Sequence, residues 1–190
     1  MEGLSRALNI FLGKCGTPQY TKVTPPNPVT MTVSPSTKAV RPFVVTAILR
    51  NVNLTQNGYD SLIELQEKLH HNICRKRTFV AIGVHDLDTL KPPFLYSADP
   101  PAEIKFRPLN QTREFRADEL MTFYEADNHL KHYLHIIREE PLYPVIRDSN
   151  GVVLSMPPII NGDHSKVTLN TRNMYFEATA TDETKVSFRY

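Results

Sequence analysis

Residues 152–163 constrain this chain more than any other stretch. The apolar run Val152-Val153-Leu154-Ser155-Met156 meets Pro157-Pro158, resumes as Ile159-Ile160 and ends on Asn161-Gly162-Asp163. Proline fixes φ and lacks an N–H donor, so the backbone at the break is set rather than paired. Apolar anchors, rigid prolines, a carboxamide and a glycine turn in succession fit a pocket wall at a core edge. They fit an ordinary strand and turn equally well. Just upstream, Ser149-Asn150-Gly151 separates two apolar runs, 143–148 and 152–155, and predicts a hairpin.

The remaining elements follow from periodicity. Leu4, Leu8, Phe11 and Leu12 recur at helical spacing, with Gly13 as the C-terminal stop. Residues 16–28 are rich in Pro and Thr and read as an extended linker. Strands are expected over 29–34, 41–52 and 79–84, with shorter ones over 94–97, 103–106, 112–116, 166–169 and 174–181. The clearest helix covers 57–73, where Tyr59, Leu62, Ile63, Leu69 and Ile73 form an apolar stripe. Arg75, Lys76 and Arg77 follow it, where the helix dipole favours cations. Asp118 is placed to cap a helix from Glu119, and Asn128 to cap another through Arg138.

With 190 residues the chain can bury a real core in one domain, or in one domain plus a fragment. Seven glycines and 15 prolines together stay near the average share, which argues against disorder. A net charge of +2 is too mild to demand nucleic acid. Cys15 and Cys74 form no metal or redox spacing, so a reducing compartment is expected, with Cys74 packed as a small hydrophobe. No apolar run approaches the ~18 residues of a membrane span. The N-terminus lacks the basic region and cleavage site of a signal peptide.

No Walker loop, dinucleotide fingerprint or Gly-x-Ser-x-Gly elbow is present. His129, His132 and His135 invite a metal reading, but spacings of three spread them over about 120° of helix, a poor ligand face, and an exposed helix face is the better account. His85-Asp86-Leu87-Asp88 reads as a turn leaving a strand. Gln66 lies on the apolar helix stripe, so it is either functional or a core amide bonded to a neighbouring strand. Alternation puts Tyr175, Glu177 and Thr179 on one strand face. If that face is buried, Glu177 needs a donor; if it belongs to an edge strand, it is exposed.

Long collinear stretches of the chain, 41–52, 59–77, 80–90, 127–137 and 141–173, resemble the β subunit of phenylalanyl-tRNA synthetase of the archaeal/eukaryotic type, nearest the eukaryotic cytosolic form. They cover most of residues 41–185 and lie in the family's B3/4 domain. The resemblance implies an α+β fold, mixed β-sheets packed with a few helices, truncated at the C-terminus. Residues 1–28 correspond to the last helix of a preceding domain and a linker, and residues 29–190 to the B3/4 domain without its C-terminal part. The match stops near Lys185, ahead of Val186-Ser187-Phe188-Arg189-Tyr190, so a fragment, a truncated gene model or a splice form is expected.

The activity implied is editing: hydrolysis of tyrosine wrongly esterified to phenylalanine tRNA. Carried over by position, Gln66, Glu67, Arg77 and Asn161 are the residues needed for ester hydrolysis. Ser155, Glu177 and Thr179 recognise the tyrosine hydroxyl, and Lys166 lies at the pocket rim. Glu177 stands where archaeal relatives have Asp, which lengthens its reach. The implied partners are the synthetase α subunit, in an α2β2 hetero-tetramer, and tRNA(Phe), with neither membrane nor DNA. No cofactor is expected for editing; ATP and Mg belong to the complete synthetase, whose aminoacylation core lies in the α subunit. The implied location is cytoplasmic. The competing expectation is a non-catalytic structural or tRNA-facing fragment, unstable or inactive alone.

Overall fold

Strand β10 (Met174–Ala180) organises the molecule, because it is the middle strand of a sheet whose two faces are both covered. The computed structural model describes residues 2–19, 21 and 23–185. Residues 186–190, past the stretch where the family match was expected to stop, lie outside the described residues. In chain order the helices are α1 (Glu2–Phe11), α2 (Gln56–His71) and α3 (Ala117–Phe123). The strands before β10 are β1 (Met31–Val33), β2 (Phe43–Leu49), β3 (Val80–Asp86), β4 (Phe94–Asp99), β5 (Lys105–Phe106), β6 (Phe115–Arg116), β7 (Tyr143–Arg147), β8 (Val153–Met156) and β9 (Ile160–Asn161). This is the α+β architecture expected.

Strand β10 runs antiparallel to β2 and β3 in the order β2-β10-β3. A second sheet has the order β1-β4-β7-β8-β9, parallel only at β1-β4. Tyr175 of the small sheet joins Phe94, Tyr96, Ile146 and Leu154 of the large one in a shared apolar core. On the opposite face of the small sheet, Leu69 and Cys74 pack with Val80, Ile82 and Ala180, and Tyr59 and Leu62 with Val84 and Phe176. The far face of the large sheet meets α3 and the short strands β5 and β6 through Phe106, Phe115, Leu120, Val145, Val153 and Met156. The layers are therefore helix, small sheet, large sheet and a mixed outer lobe.

Several local expectations hold. Gly13 sits at φ 69°, and the N–H groups of Gly13 and Lys14 close α1 on the carbonyls of Ile10 and Asn9. The hairpin β7–β8 turns on Asp148, whose Oδ1 accepts from the N–H groups of Asn150 and Val152 and whose Oδ2 accepts from Lys91 N–H. Gly151 takes φ 79°, the left-handed conformation such a turn requires.

Others do not. The helix expected through Arg138 is a pair of 3₁₀ turns, Leu130–His132 and Leu134–Ile136. Asn128 is not its cap: His129 holds the N-cap position, and Asp127 Oδ1 accepts from the N–H groups of His129 and Leu130. Leu130, Tyr133, Leu134 and Ile137 are buried as the periodicity asked. A segment of His, Tyr and β-branched residues has weak helix propensity, and tertiary burial of those four side chains sets its path instead. Residues 166–169 pair with no strand; they run irregularly after a 3₁₀ turn at Asp163–Ser165. Residues 101–103 form a 3₁₀ turn, so the strand expected over 103–106 shrinks to β5. Arg116, not Asp118, occupies the N-cap position of α3, and Glu119 accepts from its backbone N–H. His85 and Asp86 remain in β3, and the turn begins only at Leu87.

Candidate functional site

Strand β3 is an edge strand, and an edge leaves backbone groups needing partners. Side chains supply them. Gln66 Nε2 donates to the Ile82 carbonyl at 2.6 Å, and the Ile82 N–H donates to His70 Nε2 at 2.8 Å. Asn161 Nδ2 donates to the Val84 carbonyl at 3.3 Å. Gln66 is thus the core amide bonded to a neighbouring strand. Among the described residues neither carboxamide makes a further side-chain hydrogen bond, so the second N–H and the amide oxygen of each stay available.

Both residues also line the cleft where this edge meets the edge strand β9 of the large sheet. The cleft holds about 370 Å³ and is walled by Gln66, Glu67 and His70 of α2, by Arg77, and by Asn161. A smaller cavity of about 170 Å³ adjoins it, sharing Gln66 and Asn161 and adding Lys166. Lys166 is exposed there and its Nζ donates to Asn110 Oδ1 at 2.6 Å, a rim position.

Glu67 is the charged centre of the cleft. Its Oε1 accepts from Arg77 Nη2 at 3.1 Å and lies 3.8 Å from His70 Nδ1, while its Oε2 lies 3.7 Å from His129 Nε2. His70 first, then Arg77 and His129, bring its carboxyl down to about 2 against the opposing pull of burial. Because Ile82 N–H points at His70 Nε2, the His70 proton belongs on Nδ1, facing Glu67. Burial lowers the His70 pKa, so the ring stays neutral there.

Arg77 is buried against α2 and the proline turn. Its Nη1 donates to the carbonyls of Pro158 and Ile159 at 3.3 and 3.1 Å, and its guanidinium stacks 4.1 Å from the Tyr133 ring centroid. This is more than a cation answering a helix dipole. Residues Arg75, Lys76 and Arg77 have φ of 47°, 51° and 66°, three left-handed residues in a row. For residues with a Cβ that conformation costs about 1–2 kcal/mol each, and such strain collects at functional sites.

Ser155, Glu177 and Thr179 do not line the open cleft. They are buried between the two sheets, at 1%, 3% and 0% exposure. The face carrying Tyr175, Glu177 and Thr179 is therefore buried against the large sheet, and β10 is a central strand rather than an edge. Ser155 Oγ donates to Glu177 Oε1 at 3.1 Å, and Glu177 Oε2 is buried without a partner among the described residues. Burial raises the Glu177 carboxyl to about 7, opposed by the Ser155 bond and the charge of Arg41. Gly83 stands opposite Glu177 in the sheet, and a Cβ there would sit 2.2 Å from Glu177 Oε1. The glycine makes room for the carboxylate.

The two groups of residues are adjacent. Ser155 is the register partner of Asn161, and Gly83 lies between Ile82 and Val84, whose carbonyls hold Gln66 and Asn161. The open cleft and the buried carboxylate thus share one wall, built by the proline turn, with a cis bond between Pro157 and Pro158, and by β3.

Sequence reasoning missed His70 and His129. His70 is signalled only by its place one helical turn beyond Gln66 and Glu67. His129 reaches the cleft because the expected helix is not one, while His132 and His135 are exposed. Among the described residues no three His, Cys, Asp or Glu side chains converge as metal ligands do. His85 Nδ1 lies 2.8 Å from Ser165 Oγ, but burial, with His164 adding, lowers its pKa to about 3, which leaves it a poor base.

The B3/4 domain family model matches residues 30–189. The chain is 60% identical over 186 residues to the phenylalanine–tRNA ligase β subunit of Mus musculus, spanning 97% of this chain and 32% of the mouse protein. The Homo sapiens β subunit gives the same identity and coverage. The chain therefore spans about a third of the length of the curated relatives it matches. Among solved structures, an N-terminal fragment of the phenylalanyl-tRNA synthetase β subunit from Pyrococcus horikoshii superimposes with a TM-score of 0.88 at 36% identity, covering 97% of this chain and 52% of that one.

Proposed function

The chain belongs to the phenylalanine–tRNA ligase β-subunit family, and from that premise we propose that it hydrolyses tyrosine from misacylated tRNA(Phe), the editing step that supports phenylalanyl-tRNA synthesis. The observation that carries this reading is Glu177 Oε2, a buried carboxylate oxygen that has no partner among the described residues and lies behind the wall of a polar cleft. An apolar pocket rejects an added hydroxyl only by roughly 10²-fold, so tyrosine escapes a phenylalanine site. A second site holding a buried acceptor reverses the preference. The phenol O–H satisfies it, whereas phenylalanine leaves it bare at a cost of about 1–3 kcal/mol or more.

Ser155 and Thr179 complete that recognition wall, and the cleft supplies the hydrolytic set. A water oxygen bonds to the ester carbonyl carbon, the bond to the terminal ribose oxygen breaks, and a proton from that water passes to the ribose oxygen. Gln66 and Asn161 orient the water through their free amide groups. With its carboxyl at about 2, Glu67 is a weak base and serves as fixed negative charge, suited to the substrate ammonium. Arg77 offers positive charge toward the terminal phosphate or ribose, and Lys166 meets the tRNA at the rim. None of these roles calls on ATP or Mg, which we assign to the complete synthetase.

We assign residues 1–28 to a helix and linker preceding the domain, and 29–190 to the domain itself. We take the synthetase α subunit and tRNA(Phe) as partners. Two free cysteines suit a reducing, cytoplasmic setting. The test is deacylation of Tyr-tRNA(Phe) and Phe-tRNA(Phe) by the chain and its Glu177→Ala variant. Wild type should release tyrosine preferentially, and Glu177→Ala should begin to attack Phe-tRNA. Loss of all hydrolysis in Glu177→Ala with no change in preference overturns the recognition role. A folded wild type that hydrolyses neither ester assigns the chain a structural place in the assembly.

A further inference from the structure

Arg41 is the largest fully buried side chain, at 1% exposure, and lies just ahead of β2. Four bonds hold its guanidinium. Nε donates to Thr179 Oγ1 at 2.9 Å, and Nη2 to the Thr179 carbonyl at 3.0 Å. Nη2 also donates to the Arg77 carbonyl at 3.0 Å, and Nη1 to the Thr78 carbonyl at 3.3 Å. Every acceptor is a neutral oxygen. Among the described residues no carboxylate touches the guanidinium, and a buried cation held that way is a poor means of gaining stability, because desolvation outweighs what neutral acceptors return.

The acceptors belong to two places that matter. Thr179 belongs to the buried set that the editing reading assigns to the phenol. The carbonyls of Arg77 and Thr78 close the left-handed turn whose residues stand at φ 47°, 51° and 66°. That turn aims Arg77 at Glu67 Oε1 and at the carbonyls of Pro158 and Ile159.

We propose that Arg41 is a positioning residue for editing: one guanidinium fixes both the Thr179 hydroxyl and the backbone that aims Arg77, so recognition of the phenol and attack on the ester stay aligned. Nε–H occupies a lone pair of Thr179 Oγ1 and leaves the hydroxyl proton to be donated. The same planar fork holds the strained turn by its carbonyls. Lysine keeps the charge but has one ammonium and no fork, so it cannot span both. The inference rests on the editing reading above.

The experiment is single-turnover hydrolysis of Tyr-tRNA(Phe) and Phe-tRNA(Phe) by the full chain, its Arg41→Lys and Thr179→Val variants and the double variant, each checked by thermal melting. Arg41→Lys should lower the saturating rate on Tyr-tRNA by about tenfold, with half-saturation changed by less than about twofold. It should lower the Tyr/Phe rate ratio by about fivefold, and the double variant should show the same ratio as Thr179→Val rather than multiply the two losses of preference, while its rate on both esters falls further through the Arg77 turn. A purely structural Arg41 slows both esters together and leaves the ratio intact, which overturns the proposal. Where Arg41→Lys loses cooperative melting, Thr179→Ser and Thr179→Val read the same link from the other end. Serine keeps the acceptor and should hold the ratio within about twofold, whereas valine should lose it. A serine variant as damaged as valine, or a valine variant with the wild-type ratio, overturns the proposal equally. Wild type inactive on both esters refutes the editing reading itself, and this inference with it.

Discussion

At the scale of single residues, Glu177 makes one contribution to stability that falls as pH rises. Its folded carboxyl stands at about 7, above the ordinary glutamate value, so between roughly pH 4.5 and 7 the folded state holds a proton that the unfolded chain has lost. Stability from this group is full below about 4.5 and is lost as pH rises through 7. Glu177→Gln should flatten that slope and raise the urea midpoint at pH 8 relative to wild type, while changing little at pH 4.5; an unchanged slope in denaturation at the two pH values refutes the account. Glu67 runs the opposite way: its carboxyl, depressed to about 2, supports the fold above about 4.5 and ceases to as pH falls toward 2. Gly83 belongs to the same argument. Gly83→Ala places a Cβ 2.2 Å from Glu177 Oε1, so the carboxylate must move. The expected result is a loss of about 1–3 kcal/mol in denaturation together with a fall in the Tyr/Phe deacylation ratio. The alternation of Tyr175, Glu177 and Thr179 was legible in the sequence. That this face is buried was not, because that depends on the large sheet packing over it, through residues far apart in the chain such as Phe94, Ile146 and Leu154.

At the scale of elements, the β7–β8 hairpin carries the wall that separates cleft from carboxylate, and Asp148 fixes it. At 6% exposure its carboxylate accepts from the N–H groups of Lys91, Asn150 and Val152. Asp148→Ala leaves three backbone donors without that acceptor and should cost about 2–4 kcal/mol, read as a lowered urea midpoint at unchanged m-value. Asp148→Asn keeps an acceptor oxygen and should lose less; equal losses would show that the N–H bonds carry little of the effect. The Asn-Gly turn announced this hairpin in the sequence, because φ above zero is written in residue type. The left-handed turn at 75–77 was invisible for the same reason. Arg-Lys-Arg has no residue that favours φ above zero, and the conformation is held from outside by the carbonyl bonds of Arg41. The helix expected through residue 138 failed differently: its buried positions were right and its hydrogen bonding was not. Periodicity reports which side chains turn inward, and 3₁₀ turns and an α-helix can satisfy nearly the same list.

At the scale of the whole molecule, α1 leaves its apolar stripe uncovered. Leu4, Leu8, Phe11 and Leu12 are exposed at 61%, 52%, 86% and 59%, so the apolar stripe that predicted the helix is not buried by the described residues. A helix of 10 residues has marginal stability in water without tertiary packing, since most helical stability comes from burying such a stripe. By contrast, β10 is bonded on both edges and covered on both faces, which places its opening near global unfolding. Native-state hydrogen exchange on the 190-residue chain should therefore divide sharply. Amides of α1 should exchange as a separate unit with almost no protection, and those of β10, with their partners in β2 and β3, should exchange last and together. The chain has no tryptophan, so emission from its tyrosines reports the core directly: Tyr96, Tyr124 and Tyr175 are at most 2% exposed. Urea unfolding followed by tyrosine emission should coincide with the far-ultraviolet transition of the sheets. Protection in α1 equal to that in β10 would show that the helix is packed after all, and a tyrosine transition ahead of the sheet signal would show that the two sheets part before either unfolds.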